Sequence, residues 1–273
     1  MSKTSKKVWT MIVGTILLGV TVFNANLAAQ NVEKKAENAD DQRKAENKVL
    51  LELFKNLRVA DVRDGMDWIG YHNFGSISPD VRPIYRTRAV GIARTARYLP
   101  YDGPYPTERG EDYTKWQGWY YGTVCTYPWM DDIEDGDFMA IDVSGVNVGL
   151  IGSENTLRAL LKGVRGFVFN GSGVRDTDED INQKVPVWSH FVAQSMVQCK
   201  IQFDAKDIPI AIGGVTIHPG DVIVADGDGV IVVPRKVAKE VAKYATKILN
   251  TDKDTRRASY EELKWQPDDT VTK

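Results

Sequence analysis

The sequence predicts a mixed α/β sandwich with helices on one side, and three features carry that prediction. A helical apolar stripe opens the folded body, strand and helix runs alternate through its middle, and closely spaced strand runs fill its later part. The opening stripe is Val49, Leu50, Leu51, Leu53, Phe54 and Leu57, whose spacing is helical, so the body starts at Val49. Val59-Ala60-Asp61-Val62-Arg63-Asp64 opens a second helix, with an acid near its start where the helix dipole favours one. Phe138 to Val143 is a buried-strand run, Thr156 to Leu161 a helix, and Gly166 to Asn170 another strand. A short strand is expected over Val185 to Trp188. Four more follow at Ile208 to Ile212, Val215 to Ile217, Asp221 to Ala225 and Val230 to Val233, separated by Gly-Gly, Pro-Gly and Asp-Gly turn signals. Lys236 to Ile248 closes the body as an amphipathic helix.

Between these regular halves, about residues 97–130, the texture changes. Ten tyrosines and tryptophans from Tyr98 to Trp129 are punctuated by Pro100, Pro104, Pro106 and Pro128, which argue against one long element. Such a stretch can stack on a sugar or flat ligand, or cover a neighbouring subunit. The reading preferred here is a local hydrophobic mini-core under a long loop.

The 273 residues are 42% apolar and 26% charged, ordinary for a globular protein, and the net charge of −2 offers no basic field for nucleic acid or an anionic membrane. The first residues have their own organisation. Lys3, Lys6 and Lys7 precede an apolar run from Val8 to Phe23, followed by Ala25, Ala28, Ala29 and Gln30. That order is the three-region pattern of a secretory signal peptide over residues 1–29, cleaved after Ala29. The run is short for a hydrocarbon core of roughly 30 Å, which disfavours the alternative of an uncleaved membrane anchor. The chain is therefore expected to be exported, periplasmic or secreted. Residues 30–48 are rich in Glu, Lys, Asp, Asn and Ala and read as a charged linker or exposed helix. The domain then spans 49–260, and 261–273 form a polar tail.

Export would permit a bridge between Cys125 and Cys199, although two buried free thiols are the commoner outcome for a chain with its own large core. His72, His190 and His218 show none of the short ligand spacings of zinc sites. Asp226-Gly227-Asp228-Gly229 hints at a calcium loop, but its twelfth position is Val237 where a bidentate Glu is required. Gly171-Ser172-Gly173 lacks the third glycine of a dinucleotide fingerprint.

The chemistry concentrates in two segments. Asn170-Gly171-Ser172-Gly173-Val174-Arg175-Asp176 follows a buried strand, and its glycines permit close approach of a ligand. Arg175 offers a fork-shaped cation for a carboxylate, and Asp176 a hard oxygen for Mg²⁺. A simple turn salt bridge is the alternative. Gly152-Ser153-Glu154-Asn155-Thr156 leads into Leu157-Arg158-Ala159-Leu160-Leu161, so a helix N-terminus there would present free N–H groups to an anion. Its plainer reading is an ordinary cap by Ser153 or Asn155. Glu154 stands twenty intervening residues before Arg175, on a strand–helix–strand path that could bring both loops to one edge.

These residues resemble the RraA-like proteins, which include 4-hydroxy-4-methyl-2-oxoglutarate/4-carboxy-4-hydroxy-2-oxoadipate aldolases and oxaloacetate decarboxylases. An acid, twenty residues, then Arg-Asp is the signature of the members with lyase activity, here Glu154 and Arg175-Asp176. Further matches are Ala60 to Asp64, Ser78-Pro79-Asp80-Val81-Arg82-Pro83, Val90-Gly91-Ile92-Ala93, Ile212 to Asp221, Ala225 to Val230 and Val233-Pro234-Arg235, so the likeness spans about 200 residues.

The resemblance implies a β/β/α three-layer sandwich of swivelling-domain type, with helices at the N-terminus and C-terminus, assembling as a homotrimer or hexamer. It implies a divalent-metal-dependent aldolase or decarboxylase that cleaves a 2-oxo acid to pyruvate through a metal-stabilised enolate. Arg175 would hold the substrate carboxylate, Asp176 would bind Mg²⁺ or Mn²⁺, and the backbone of Ser153, Glu154, Asn155 and Thr156 would cradle the pyruvyl end, with Glu154 orienting water. Asp254, placed after the last predicted helix, is a weaker candidate for an acid lent to a partner subunit. Where the family has Gly-acid-Leu-Leu, this chain has Ser153-Glu154-Asn155-Thr156, a more polar cradle. Two other functions are compatible with these residues: an exported enzyme using the same site on a sugar-derived acid or keto-sugar, and a non-catalytic binding or regulatory protein.

Overall fold

The computed structural model describes residues 34–272, so the signal-peptide reading of residues 1–29 lies outside the described residues. The chain divides into two compact units, Met1–Lys48 and Val49–Lys273. In the first, residues 34–48 are helical. The second opens with helical residues 49–54, here α1, and continues with α2, Val59–Trp68. The acid at the start of α2 acts as a cap: the Asp61 carboxylate accepts the Arg58 N–H at 2.9 Å, satisfying a donor the helix itself cannot.

The core of the second unit is an eight-stranded sheet. Along it lie β1 (Arg82–Pro83), β5 (Val187–Ser189), β4 (Gly166–Asn170), β3 (Asp137–Asp142), β2 (Ala89–Pro100), β9 (Val222–Asp226) and β10 (Gly229–Val233), with β6 (Ile201–Lys206) beside the far half of β2. Strands β2 to β5 are parallel, as the intervening helices require, and the others join antiparallel. Ser76 bridges Ile231 at the β10 edge just before the chain reaches β1 at the other, so the sheet nearly closes into a barrel.

Strand alternation builds the layers. Ala93, Phe138, Ala140, Val168 and Trp188 face one side, where they are covered by the hairpin of β7 (Ile210–Ile212) and β8 (Val215–Ile217). Met139, Ile141, Phe167 and Phe169 face the other side, over Ala159 of α4 (Ser153–Leu161). Farther along that side Ile92, Val224 and Ile231 pack against Val62 and Met66 of α2 and Val241 and Ala245 of α6 (Ala238–Leu263). Hairpin, sheet and helices are the three expected layers.

Several expectations are corrected. The prolines of the aromatic stretch lie outside a regular helix, α3 (Gly110–Thr123): Pro100 ends β2, and Pro128 starts a single 3₁₀ turn. Tyr113, Trp116 and Tyr120 follow one another at three and four residues along α3 and meet ring to ring at 5.5 and 5.2 Å. The stretch does form a hydrophobic core, but one continuous with the main core, with Tyr98, Tyr120 and Trp129 fully buried. The Trp129 indole N–H donates to the Tyr98 hydroxyl at 2.8 Å, which donates to the Thr126 carbonyl at 2.8 Å. Strand β6 has no counterpart in the sequence reading, because only Ile201 of its residues is fully buried. Helix α6 runs past Ile248 to Leu263, so Asp254 lies within it rather than after it. Both cysteines are free, Cys125 buried and Cys199 half-buried. No helix among the described residues is long and apolar enough to cross a membrane.

Candidate active site

Two loops at one end of the parallel strands run side by side. The chain leaving β4 through Gly171 and Gly173 forms a parallel bridge from Val174 to Ile151, the residue just before the turn into α4. The Ile151 N–H donates to the Gly173 carbonyl at 2.9 Å and the Arg175 N–H to the Ile151 carbonyl at 3.1 Å. Beneath them the buried Ser172 hydroxyl is 2.6 Å from the Val148 carbonyl and 2.7 Å from the Val148 N–H, which ties the two loops again. Gly173 is required by this course: its φ is +69°, and a Cβ there would lie 2.0 Å from the Phe169 ring.

The bridge sets Arg175 and Asp176 against the first turn of α4. Asp176 sits at φ 60°, a left-handed conformation that Asp and Asn tolerate, and opens α5 (Thr177–Asn182) without capping it by its side chain. Its carboxylate turns instead toward α4 and accepts the Ser153 N–H at 3.4 Å. A Cβ on Gly152 would lie 2.3 Å from that carboxylate, and one on Gly149 would lie 2.7 Å from the Arg175 side chain. Two glycines therefore make the room the pair occupies. The Arg175 guanidinium is 3.7 Å from Asp176, too long for a hydrogen bond, and donates no hydrogen bond among the described residues. The turn salt bridge considered from sequence is thus at most a loose one, and the 31% exposure of the arginine leaves it open to an anion.

Arg175, Asp176, Ser153, Glu154 and Asn155 share one cavity of about 340 Å³. The fourth cradle residue does not join them. Thr156 is buried, and its N–H already donates to the Gly152 carbonyl, so the cradle is limited to the N–H groups of 153–155 that a helix start leaves without intrahelical partners. Glu154 is on the rim, 73% exposed, and accepts from Arg158 one turn on at 2.9 Å. Asp254 lies away from the cavity wall, 3.6 Å from Arg257.

Four further residues were not singled out from the sequence. Tyr121, Tyr127 and Met196 line the cavity. The two tyrosines belong to the aromatic stretch, whose capacity to stack on a ligand was the signal available; nothing marked Met196. Asp180 lies behind the wall, fully buried, with one oxygen 2.7 Å from the Thr156 hydroxyl and the other without a partner. Burial pushes its carboxyl up to about 6, with the Thr156 hydrogen bond opposing and the charges of Asp176 and Glu179 adding. Its place four residues after Asp176 on a helix was the legible clue.

No group of three or more His, Cys, Asp or Glu side chains that could hold a metal occurs among the described residues. A divalent ion here would rest on Asp176, with water and substrate oxygens completing its shell. That fits Mg²⁺, which binds through one or two carboxylates and keeps the rest of its octahedron for water and substrate. The room that Gly152 leaves beside the carboxylate fits the same role.

Known proteins share this architecture. A family model described as RraA-like: Aldolase/RraA matches residues 59–232. Protein DlpA of Legionella pneumophila is 26% identical over 211 residues, 77% of this chain and 31% of DlpA. A Halalkalibacterium halodurans protein named "Putative 4-hydroxy-4-methyl-2-oxoglutarate aldolase" is 32% identical over 130 residues, 47% of this chain and 61% of that protein. The chain thus spans less than two thirds of the length of either relative. The crystal structure of Streptomyces coelicolor RraAS2, described as an unusual member of the RNase ES inhibitor RraA protein family, superposes with a TM-score of 0.60 at 24% identity, covering 76% of this chain and 95% of RraAS2. That likeness bears on the fold. With the family model running from α2 through β10, across both loops of the cavity, this chain belongs to the RraA-like family.

Proposed function

We propose that this chain is a divalent-metal-dependent carbon–carbon lyase that cleaves a 2-oxo acid and releases pyruvate. The observation that carries the reading is the meeting of Arg175, Asp176 and the α4 start in one cavity. The Arg175 guanidinium binds and orients the substrate carboxylate, fixing the scissile bond relative to the other groups. The first-turn N–H groups of Glu154 and Asn155 accept the negative charge that grows on the pyruvyl oxygens as the bond breaks. Asp176 would hold Mg²⁺ or Mn²⁺, which when bound supplies Lewis acidity toward a keto oxygen. In a retro-aldol cleavage the C3–C4 bond breaks with its electrons passing to the pyruvyl fragment; the C4 hydroxyl loses its proton and C3 gains one. Glu154, at the cavity mouth, would orient a water that takes or returns that proton. No lysine lines the cavity among the described residues, so none of them offers a Schiff-base nucleophile there.

Purified protein with Mg²⁺ is expected to release pyruvate from 4-hydroxy-2-oxo acids or oxaloacetate, and excess chelator to stop it. Release at full rate after chelation would refute the metal dependence. Absence of release from every 2-oxo acid tried would refute the lyase reading. We also propose export, on the strength of Lys3, Lys6 and Lys7, the apolar run from Val8 and the small residues up to Ala29. Mass spectrometry of the exported fraction should find a mature chain beginning at Gln30, and an intact Met1 in that fraction would overturn cleavage.

A further inference from the structure

We propose that the cavity selects a 2-oxo acid with a single carboxylate, whose far end is uncharged and apolar and packs on Tyr121, Tyr127 and Met196. This rests on the lyase reading of the Arg175–Asp176 site and narrows its substrate class. The argument begins with charge. Arg175 is the one cation among the described residues lining the cavity, against two carboxylates, Glu154 and Asp176. Arg158, the nearest other cation in sequence, directs its Nε to Glu154. One guanidinium answers one substrate carboxylate, and the remaining described wall offers a second one no cation.

Two aromatic rings and a thioether supply part of that wall's apolar share. The rings of Tyr121 and Tyr127 lie 6.3 Å apart, tilted by 32°. Tyr127 donates its hydroxyl proton to the Leu150 carbonyl at 2.7 Å, whereas the Tyr121 hydroxyl accepts from the Gln198 amide at 3.3 Å and keeps its own proton to donate. Burial raises both phenols, so they remain neutral and add no charge of their own. Met196 is held by a contact of 3.8 Å between its sulfur and the Gln117 amide. Ring surfaces and a thioether therefore meet the far end of the substrate. An aliphatic or aromatic group gains burial there, whereas a carboxylate would lose water without gaining a cation. A 4-hydroxy-4-methyl-2-oxoglutarate carries two carboxylates, so the substrate in the name of the Halalkalibacterium relative is expected to be a poor fit to this chain.

Titration calorimetry of the full chain with Mg²⁺ tests this with oxalate, 2-oxoglutarate, 4-methyl-2-oxopentanoate and phenylpyruvate. The expected result is that at least one of the two apolar monocarboxylates binds at least tenfold more tightly than 2-oxoglutarate. Met196→Arg is expected to move that ratio at least tenfold toward 2-oxoglutarate. Equal or tighter binding of 2-oxoglutarate by the parent protein overturns the proposal, whether the missing cation comes from this chain or from another copy of it. That comparison does not depend on the variant's folding. If oxalate binds and the ratio is wrong, only this inference falls. If neither oxalate nor any 2-oxo acid binds, the lyase reading falls and takes the inference with it.

Discussion

Asp176→Asn is expected to lower kcat/KM for pyruvate release by at least about a thousandfold, about 4 kcal/mol of transition-state stabilisation, while leaving the fold intact. Asparagine is the informative replacement because residue 176 adopts φ 60°, which Asn tolerates nearly as well as Asp, so the backbone is not disturbed. What is lost is the hard anionic oxygen that would hold the metal. Gly152→Ala tests the same point from the other loop. Its Cβ would fall 2.3 Å from the Asp176 carboxylate, which is the end of a side chain and can swing away. The expected outcome is a folded protein whose metal affinity and turnover both fall by about a hundredfold, since a small misplacement of a catalytic group is costly. Circular dichroism, metal titration and steady-state rates on both variants decide it. Full turnover by Asp176→Asn would remove Asp176 from the mechanism.

The second large effect concerns stability. Asp180→Asn should be more stable than the parent protein at pH 8, by up to about 3 kcal/mol, and nearly equal to it at pH 4. The folded carboxyl ionises at about 6 against an ordinary value of 3.8, chiefly because it is buried. Between those pH values the native state keeps a proton that the unfolded chain has released. Stability therefore falls as pH rises through that window and stays lower above it. The geometry agrees. The single Thr156 hydroxyl hydrogen lies near two acceptors, the Ser153 carbonyl at 2.9 Å and Asp180 at 2.7 Å. Both contacts become hydrogen bonds when Asp180 carries a proton and donates to the Thr156 oxygen. An Asn side chain can donate in the same way without ever ionising. Urea titrations of both proteins across pH 4 to 8 measure the difference, and an Asn variant less stable at pH 8 would show that the carboxylate itself is needed.

Legibility from sequence followed the reach of each signal. Alternating or continuous apolar runs such as Phe138 to Val143 and Gly166 to Asn170 identified strands because burial on both faces leaves no other composition possible. Strand β6 escaped because its residues are mostly half-exposed and carry no such run. Helix α3 escaped because its flanking prolines were read as belonging to it. Within the site, Arg175, Asp176, Ser153, Glu154 and Asn155 could be named because each follows a glycine at the junction of a loop and a regular element and falls on the family's motif. Thr156 was named with them although it faces inward, since sequence shows a helix start but not how it is rotated.

The sequence by itself determined the mixed α/β class, most of the later strands with the helices at either end of the domain, and the two loops whose chemistry is compatible with an anion and a cation. Those are consequences of side-chain type and spacing along one chain. Only the tertiary structure decided that the loops touch, through the bridge from Ile151 to Val174, and that Tyr121, Tyr127 and Met196 wall the cavity they enclose. The reason is physical: these contacts join residues 20 or more positions apart, and their geometry depends on how the sheet twists and where the helices settle, which no local spacing records.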